Sequence, residues 1–289
     1  MKHIVGFSGG IDSQACARWV LNRYPVEDVI LVNSNAGGNE HPLTTTFVAE
    51  YSAKVHPVVL VIPRVKDIDD RPGVMAAMNL DPEEELTFVL LARIYKRFPS
   101  KMAQFCTERL KIHPTLRWVR ENLQDEEYVR YAGVRRDESQ KRRDTPFEVW
   151  DDLFNCYALH PIADWTKQMS FDYIRQYGEP INALYSLGFE RVGCAPCINS
   201  NKQDIKRWAD RFPEMIDKIR EWENQANRTF FRPMIPGMKI RISPTGKLDA
   251  FNWIDEVVEW SRTDHGGYQF NILSGLERPS CESKFGLCE

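Results

Sequence analysis

The chain has 289 residues, 43% of them apolar and 27% charged, and a formal net charge of −3. That balance suits an ordinary globular protein that buries its own core, and it excludes a disordered chain or a disulfide-held miniature. The negative sign argues against a protein that grips nucleic-acid backbone over its whole surface, and no run approaches the ~20 apolar residues of a membrane span.

The first part of the chain alternates strand and helix. His3 to Phe7 reads as a short buried strand, Gln14 to Asn22 as a helix, Asp28 to Val32 as a second strand, Thr44 to Ala53 as a second helix and Val58 to Ile62 as a third strand. Strands separated by helices of this length predict an α/β fold, a parallel twisted sheet flanked by helices with right-handed crossovers. Apolar residues recur at helical spacing over Glu83 to Arg97 and His113 to Asn122. Glu127 to Ala132 predicts a further strand, followed by a charged loop over Gly133 to Arg143. Ser170 to Tyr177 and Lys202 to Asn227 predict helices, Phe230 to Ile242 short strands, and Leu276 to Glu289 an irregular tail. The apolar start is too short for a signal peptide and lacks a basic lead-in, so a cytoplasmic setting is expected, with the seven cysteines as thiols or metal ligands.

Ser8-Gly9-Gly10-Ile11-Asp12-Ser13 stands between the first strand and the start of the first helix. Glycines let backbone approach a ligand closely, and the N–H groups of a helix start favour an anion. A lone Ser-Gly turn would only cap the helix; the placement and the six-residue run favour phosphate. The Gly-Lys-[Ser/Thr] ending that serves a terminal phosphate is absent. Asn39 and Glu40, in Gly38 to Thr44, suit hydroxyl and adenine recognition, or equally a polar loop that caps the next helix. Arg109 and Lys111 are candidates to neutralise phosphate or sulfate, or solvated charges at a helix end. Arg135, Arg136 and Arg142 carry planar cationic forks that suit phosphate and sulfate oxygens.

SGGIDS resembles the SGGxDS pyrophosphate-binding loop of the adenine nucleotide α-hydrolase (PP-loop) superfamily, whose members cleave ATP between the α- and β-phosphates or bind an adenylyl-sulfate. Later segments narrow the resemblance to the phosphoadenylyl-sulfate (PAPS) and adenylyl-sulfate reductase family. GNEHPLT is similar to its TGNEHP-type segment, without the Thr before the glycine. FCTERLKIHP is similar to its Cys-Cys or Phe-Cys segment, and GVRRDESQKR to its G-[IV]-R-x-x-E-S-x-x-R loop. HPIADWT and NALYSLGF resemble its P-[IL]-x-x-W-[TS] and N-x-L-Y-x-x-G-[FY] segments.

The resemblance covers about residues 1 to 215. It implies a nucleotide-binding domain there and, over 216–289, a C-terminal part with a helix, short strands and a cysteine-bearing tail. It implies that Ser8, Gly9, Gly10, Asp12 and Ser13 hold the pyrophosphate, with Asn39, Glu40, Gly133, Arg136, Glu138 and Ser139 also against the nucleotide. Asp12, Lys111, Arg135 and Arg142 are the implied catalytic set, acting by electrostatic stabilisation. Mg2+ is expected if ATP is cleaved, with Asp12 a candidate ligand.

Cys194-Ala195-Pro196-Cys197 is a C-x-x-C turn, which brings two thiolates to one metal or cluster iron. In cluster-bearing members of the family this pair and the Cys-Cys segment hold a [4Fe–4S] cluster; here the latter is Phe105-Cys106. The implied ligands are Cys106, Cys194 and Cys197, with Cys288 as the fourth and Cys281 its alternative; zinc held by both cysteine pairs is the competing site. Cys16 and Cys156 lie on apolar stretches and are expected in the core.

Sulfonucleotide reductases carry a nucleophilic Cys in a C-terminal Glu-Cys-Gly-[Ile/Leu]-His segment. This tail has Phe285-Gly286-Leu287-Cys288-Glu289 instead. The departure favours another branch, the ATP pyrophosphatases of DNA phosphorothioation (DndC and SspD type), which adenylate an acceptor for sulfur insertion. The implied partners are an adenine nucleotide, DNA and a sulfur donor such as a cysteine desulfurase, with a homodimer as the assembly and no membrane. The alternative is a reductase using thioredoxin and Cys288. A third, a nucleic-acid-binding protein with a structural metal, is least favoured by the net charge.

Overall fold

The fold is that of a computed structural model, which describes residues 1–231, 241–242, 248–249 and 253–263. In chain order, strand β1 (Lys2–Gly6) leads to helix α1 (Ile11–Leu21), β2 (Val29–Ser34) to α2 (Pro42–Lys54), and β3 (Val58–Val61) to α3 (Pro72–Ala77) and α4 (Phe88–Tyr95). A short α5 (Phe105–Thr107) runs through a π-helical turn over Glu108–Ile112 into α6 (His113–Asn122). Strands β4 (Tyr128–Tyr131), β5 (Glu148–Asp151) and β6 (Cys156–Leu159) follow, then α7 (Lys167–Gln176), α8 (Ala183–Ser186), α9 (Lys202–Arg211) and α10 (Pro213–Ala226). A two-residue pair, β7 (Arg241–Ile242) and β8 (Leu248–Asp249), precedes α11 (Ile254–Ser261).

Six strands form one sheet in the order β3-β2-β1-β4-β6-β5. Every pairing is parallel except that of the edge strand β5 with β6. The central strand shows why the sheet is covered on both faces. Val5 packs with Cys16, Ala17 and Val20 of α1 and with Phe47 and Tyr51 of α2. Ile4, pointing the other way by strand alternation, packs with Ile112, Leu116 and Val119 of the α6 segment. A third cluster joins α4 to α9, α10 and α11 through Phe88, Trp208, Ile219, Trp222 and Val257.

Several expectations need correction. The helix read over Lys202 to Asn227 is two helices, broken at Phe212 because Pro213 disfavours helical backbone in the residue before it. The helix read over Glu83 to Arg97 is shorter: the Thr87 hydroxyl accepts from the Leu90 N–H at 3.1 Å and starts it, and Lys96, in left-handed backbone at φ 55°, ends it. The hairpin β5–β6 had no counterpart in the sequence reading. Of the strands read over Phe230 to Ile242, Phe230 and Phe231 are irregular and buried, Arg241–Ile242 is a strand, and the rest lies outside the described residues. The tail from Leu276 also lies outside them.

One buried acid ties the C-terminal helices together. Glu223 of α10 is 1% exposed and accepts hydrogen bonds from the N–H groups of Phe230 at 2.7 Å and Ile254 at 2.8 Å. Burial pushes its carboxyl up to about 7. A folded-state value above the unfolded one makes protonation stabilising, so this group's contribution to stability is full below about 4.5 and is lost as pH rises through about 7. Melting temperature measured across that window is expected to decline in the wild-type chain and to lose this slope in Glu223→Gln. An equal slope in both proteins would remove Glu223 as the cause.

Candidate nucleotide site

The sheet order creates the crevice. From β1 the chain winds outward through β2 and β3, then returns to place β4 on the other side of β1. Ligands of open α/β sheets collect at the carboxyl ends of strands where this winding reverses. The two loops singled out in the sequence leave those ends: Ser8 to Ser13 follows β1, and Gly133 to Arg143 follows β4.

The first loop is shaped by its own hydroxyls. The Ser8 N–H and Oγ–H both donate to Ser13 Oγ at 3.1 Å, and the Ser13 hydroxyl donates to the Gly10 carbonyl at 2.9 Å. Gly9 adopts φ 81°, a conformation that disfavours a side chain, and a Cβ there would stand 3.1 Å from Thr44 Cγ2. The Ile11 N–H donates to the Tyr185 hydroxyl at 2.9 Å. Asn182, 1% exposed, reaches the Gly9 carbonyl and the Thr44 hydroxyl, each at 3.3 Å. Asn182 and Tyr185 lie in the NALYSLGF segment, quoted in the sequence without a role for either.

Ser8, Ser13, Ser34, Glu40, Lys111 and Gly133 line one cavity over this crevice. Lys111 is buried there by the π-helical turn. Burial raises the Glu40 carboxyl above its ordinary value, and the Lys111 charge opposes the rise. Lys218 of α10, which the sequence reading did not single out, donates to the Gly38 carbonyl; burial lowers its ammonium and the charge of Glu40 opposes that. Asn39 sits differently. Its carbonyl accepts from the Ala195 N–H at 3.0 Å and its amide reaches the Pro196 carbonyl at 3.4 Å, so it holds the cysteine loop. Arg109 points away from the cavity, to Asp69 at 2.7 Å and Asp70 at 3.2 Å.

The arginines of the second loop stand in ion pairs. Arg135 meets Asp12 at 2.7 Å, both nearly fully buried, and also pairs with Asp137. Arg142 pairs with Glu138, which Arg191 approaches at 3.3 Å. Burial pushes the Glu138 carboxyl up, and these two guanidinium groups oppose it. Arg136 pairs with Asp164, donates to the Thr145 carbonyl at 2.8 Å and lies 4.5 Å above the Phe147 ring. Ser139 is buried beside them. Asp12, Arg135, Glu138, Lys167, Arg191 and Asp204 border a second cavity of about 250 Å³. Lys167, Arg191 and Asp204 had no single-residue signal in the sequence.

Cys106 and the sequence-distant pair Cys194 and Cys197 line one small cavity together with Lys111, which also lines the crevice cavity. The Asn199 N–H lies 3.5 Å from Cys197 Sγ. Among the described residues, no three His, Cys, Asp or Glu side chains are arranged to hold a metal ion. Cys281 and Cys288 lie outside the described residues. Cys16 and Cys156 are buried in the core, and burial pushes the Cys156 thiol up to about 11.

The phosphoadenosine phosphosulfate reductase domain matches residues 2–200. The chain is 28% identical to an uncharacterized 37.8 kDa protein of Escherichia phage 186, over 99% of this chain and 96% of that protein. It is 30% identical to an adenosine 5'-phosphosulfate reductase of Salinibacter ruber and 33% to one of Rhizobium tropici, over 31% and 34% of this chain. It spans only 38% and 49% of those two reductases. Among solved structures, a PAPS reductase of Candida auris aligns with 67% of this chain and 81% of its own, at a TM-score of 0.45 and 16% identity. With two thirds of its length matched by that domain, the chain belongs to the phosphoadenosine phosphosulfate reductase domain family.

Proposed function

We propose that the chain is an ATP pyrophosphatase that cleaves between the α- and β-phosphates and transfers the adenylyl group to an acceptor. The observation that carries this reading is the meeting of the Ser8–Ser13 loop with Lys111 in one cavity at the winding reversal of the sheet. An acceptor oxygen attacks the α-phosphorus, the bond to the α–β bridging oxygen breaks, and pyrophosphate leaves with the electron pair. In this reading the Lys111 ammonium stabilises the charge that grows on the leaving group. Asp12, met by Arg135, shapes the start of α1, and in this reading Mg2+ enters with ATP as part of the substrate. The acceptor in this reading is a DNA backbone phosphate, with sulfur delivered by a cysteine-desulfurase type partner.

The cysteine cavity is assigned to a [4Fe–4S] cluster held by Cys106, Cys194 and Cys197, with Cys288 or Cys281 completing the set. Three thiols line one cavity, although among the described residues no three such side chains are arranged to hold a metal ion, and the fourth ligand lies outside those residues. When bound, the cluster would supply a fixed charge and a rigid anchor behind Lys111, and no step passes through it.

The test is release of pyrophosphate from ATP in the presence of DNA, with AMP following when a sulfur donor displaces it from the adenylated phosphate. Ser13→Ala removes the hydroxyl that receives both Ser8 donors and braces Gly10, and the rate is expected to fall about 100-fold. No pyrophosphate from ATP with any acceptor would refute the reading. The reductase relatives favour a second reading, a thiol-dependent sulfonucleotide reductase. It predicts sulfite from PAPS or adenylyl-sulfate with thioredoxin, lost in Cys288→Ser.

A further inference from the structure

Helix α10 lies beyond residues 2–200, the part matched by the family domain, yet it brings a cation to the loop that carries Glu40. That loop, after β2, is tied on both sides of Gly38. The Gly37 carbonyl accepts from the Phe88 N–H at 2.8 Å, and the Asn39 carbonyl accepts from the Ala195 N–H at 3.0 Å. Between these ties the Lys218 ammonium donates to the Gly38 carbonyl. The same ammonium lies 4.9 Å from the centre of the Trp222 ring, one turn along α10, and Trp222 stacks on Phe88. An aromatic face and a carbonyl together hold the cation in one place. Two residues after Gly38, Glu40 lines the cavity with Ser8, Ser13 and Lys111. Its carboxyl feels two ammonium groups, Lys111 of the cavity wall and Lys218 of α10, and both oppose the rise that burial imposes on it. In the other direction, Glu40 is the acid whose charge acts on Lys218.

We propose that Lys218 is a positioning residue of the nucleotide site, which shares the Glu40 carboxylate with Lys111 and so leaves the Lys111 charge to the phosphates; this rests on the nucleotide reading of that cavity above. The charges give the reason. Two ammonium groups against one carboxylate leave a net positive charge for a polyphosphate to meet. With Lys218 removed, Glu40 has Lys111 as its remaining ammonium and cancels it. In this proposal the action of Lys218 passes through Glu40, not through contact with phosphate.

The experiment measures binding of ATP and of inorganic pyrophosphate to the full chain by calorimetry, in a double-mutant cycle of Lys218→Met with Glu40→Gln. In the wild-type background Lys218→Met is expected to weaken both ligands about tenfold, a coupling usual for charges in one network. In the Glu40→Gln background the same substitution is expected to cost less than about twofold, because no carboxylate remains to cancel Lys111. Lys218→Arg keeps the charge and is expected to bind as the wild type does. Lys218→Gln keeps a donor for the Gly38 carbonyl and loses the charge. It should lose affinity as the methionine variant does, and it serves in the cycle if that variant fails to fold. An equal loss in both backgrounds, or wild-type affinity in Lys218→Gln, would overturn the proposal. An intact cycle in a chain that releases no pyrophosphate from ATP would refute adenylyl transfer and leave the Lys218 assignment standing. A wild-type chain that binds neither ligand would overturn both.

Discussion

Lys111→Met is expected to cut nucleotide turnover about 100- to 1,000-fold, the usual cost of removing one preorganised charge from a developing anion. The side chain is 7% exposed and lines the cavity shared by Ser8 and Ser13, so no solvent cation takes its place easily. It also faces the raised carboxyl of Glu40, so the substitution strands a buried acid. The double variant Lys111→Met with Glu40→Gln separates the two effects. It should recover the melting temperature lost in the single variant without recovering turnover. A single variant within tenfold of the wild-type rate would remove Lys111 from the catalytic set.

Gly133→Ala is expected to destabilise the protein by about 3 kcal/mol, the upper end of the usual cost of overpacking, because the backbone cannot relieve it. A Cβ at this position would lie 2.4 Å from the Asp12 carbonyl oxygen, 2.6 Å from its carbon and 2.8 Å from the Ser13 nitrogen. All three atoms are backbone of the first turn of α1, so no side chain can swing aside. Relief requires β4 and α1 to separate, which also opens the Asp12–Arg135 ion pair. Urea unfolding should show the lowered midpoint, and calorimetric titration with ATP should show binding weakened beyond what the lost stability explains. An unfolding free energy within about 1 kcal/mol of wild type would mean that the two segments part more readily than their packing indicates.

The parts of this fold that could be read early share one property. Strands β1, β2 and β3 belong to a sheet covered on both faces, so they stand out as β-branched runs between helices. The hairpin β5–β6 escaped because Glu148, Val149 and Trp150 of the edge strand are exposed, which leaves no apolar run to recognise. The break at Phe212 escaped for the opposite reason. The apolar stripe continues across it, and only Pro213 marks the change of direction.

The arginine loop shows where reading a chain residue by residue reaches its end. Gly133 to Arg143 looked like a row of cations meant for one anion. Arg135 instead meets Asp12, Arg136 meets Asp164, and Arg142 meets Glu138 with Arg191 alongside. Asp12 and Asp164 are remote in sequence from their partners, so no local spacing announces them.

From the sequence by itself came the α/β class, the glycine turn between β1 and α1 and the family, because glycine conformation, hydroxyl donors and strand–helix alternation are written in consecutive residues. Only the tertiary structure decided which loops meet. The winding reversal between β1 and β4 sets Gly133 against Asp12, and the packing of α5 near the Cys194–Cys197 turn lines one cavity with Cys106 and that pair. Those encounters depend on burial and charge pairing across the whole chain, and the physical reason is simple: a long-range contact has no signature in either of the segments that make it.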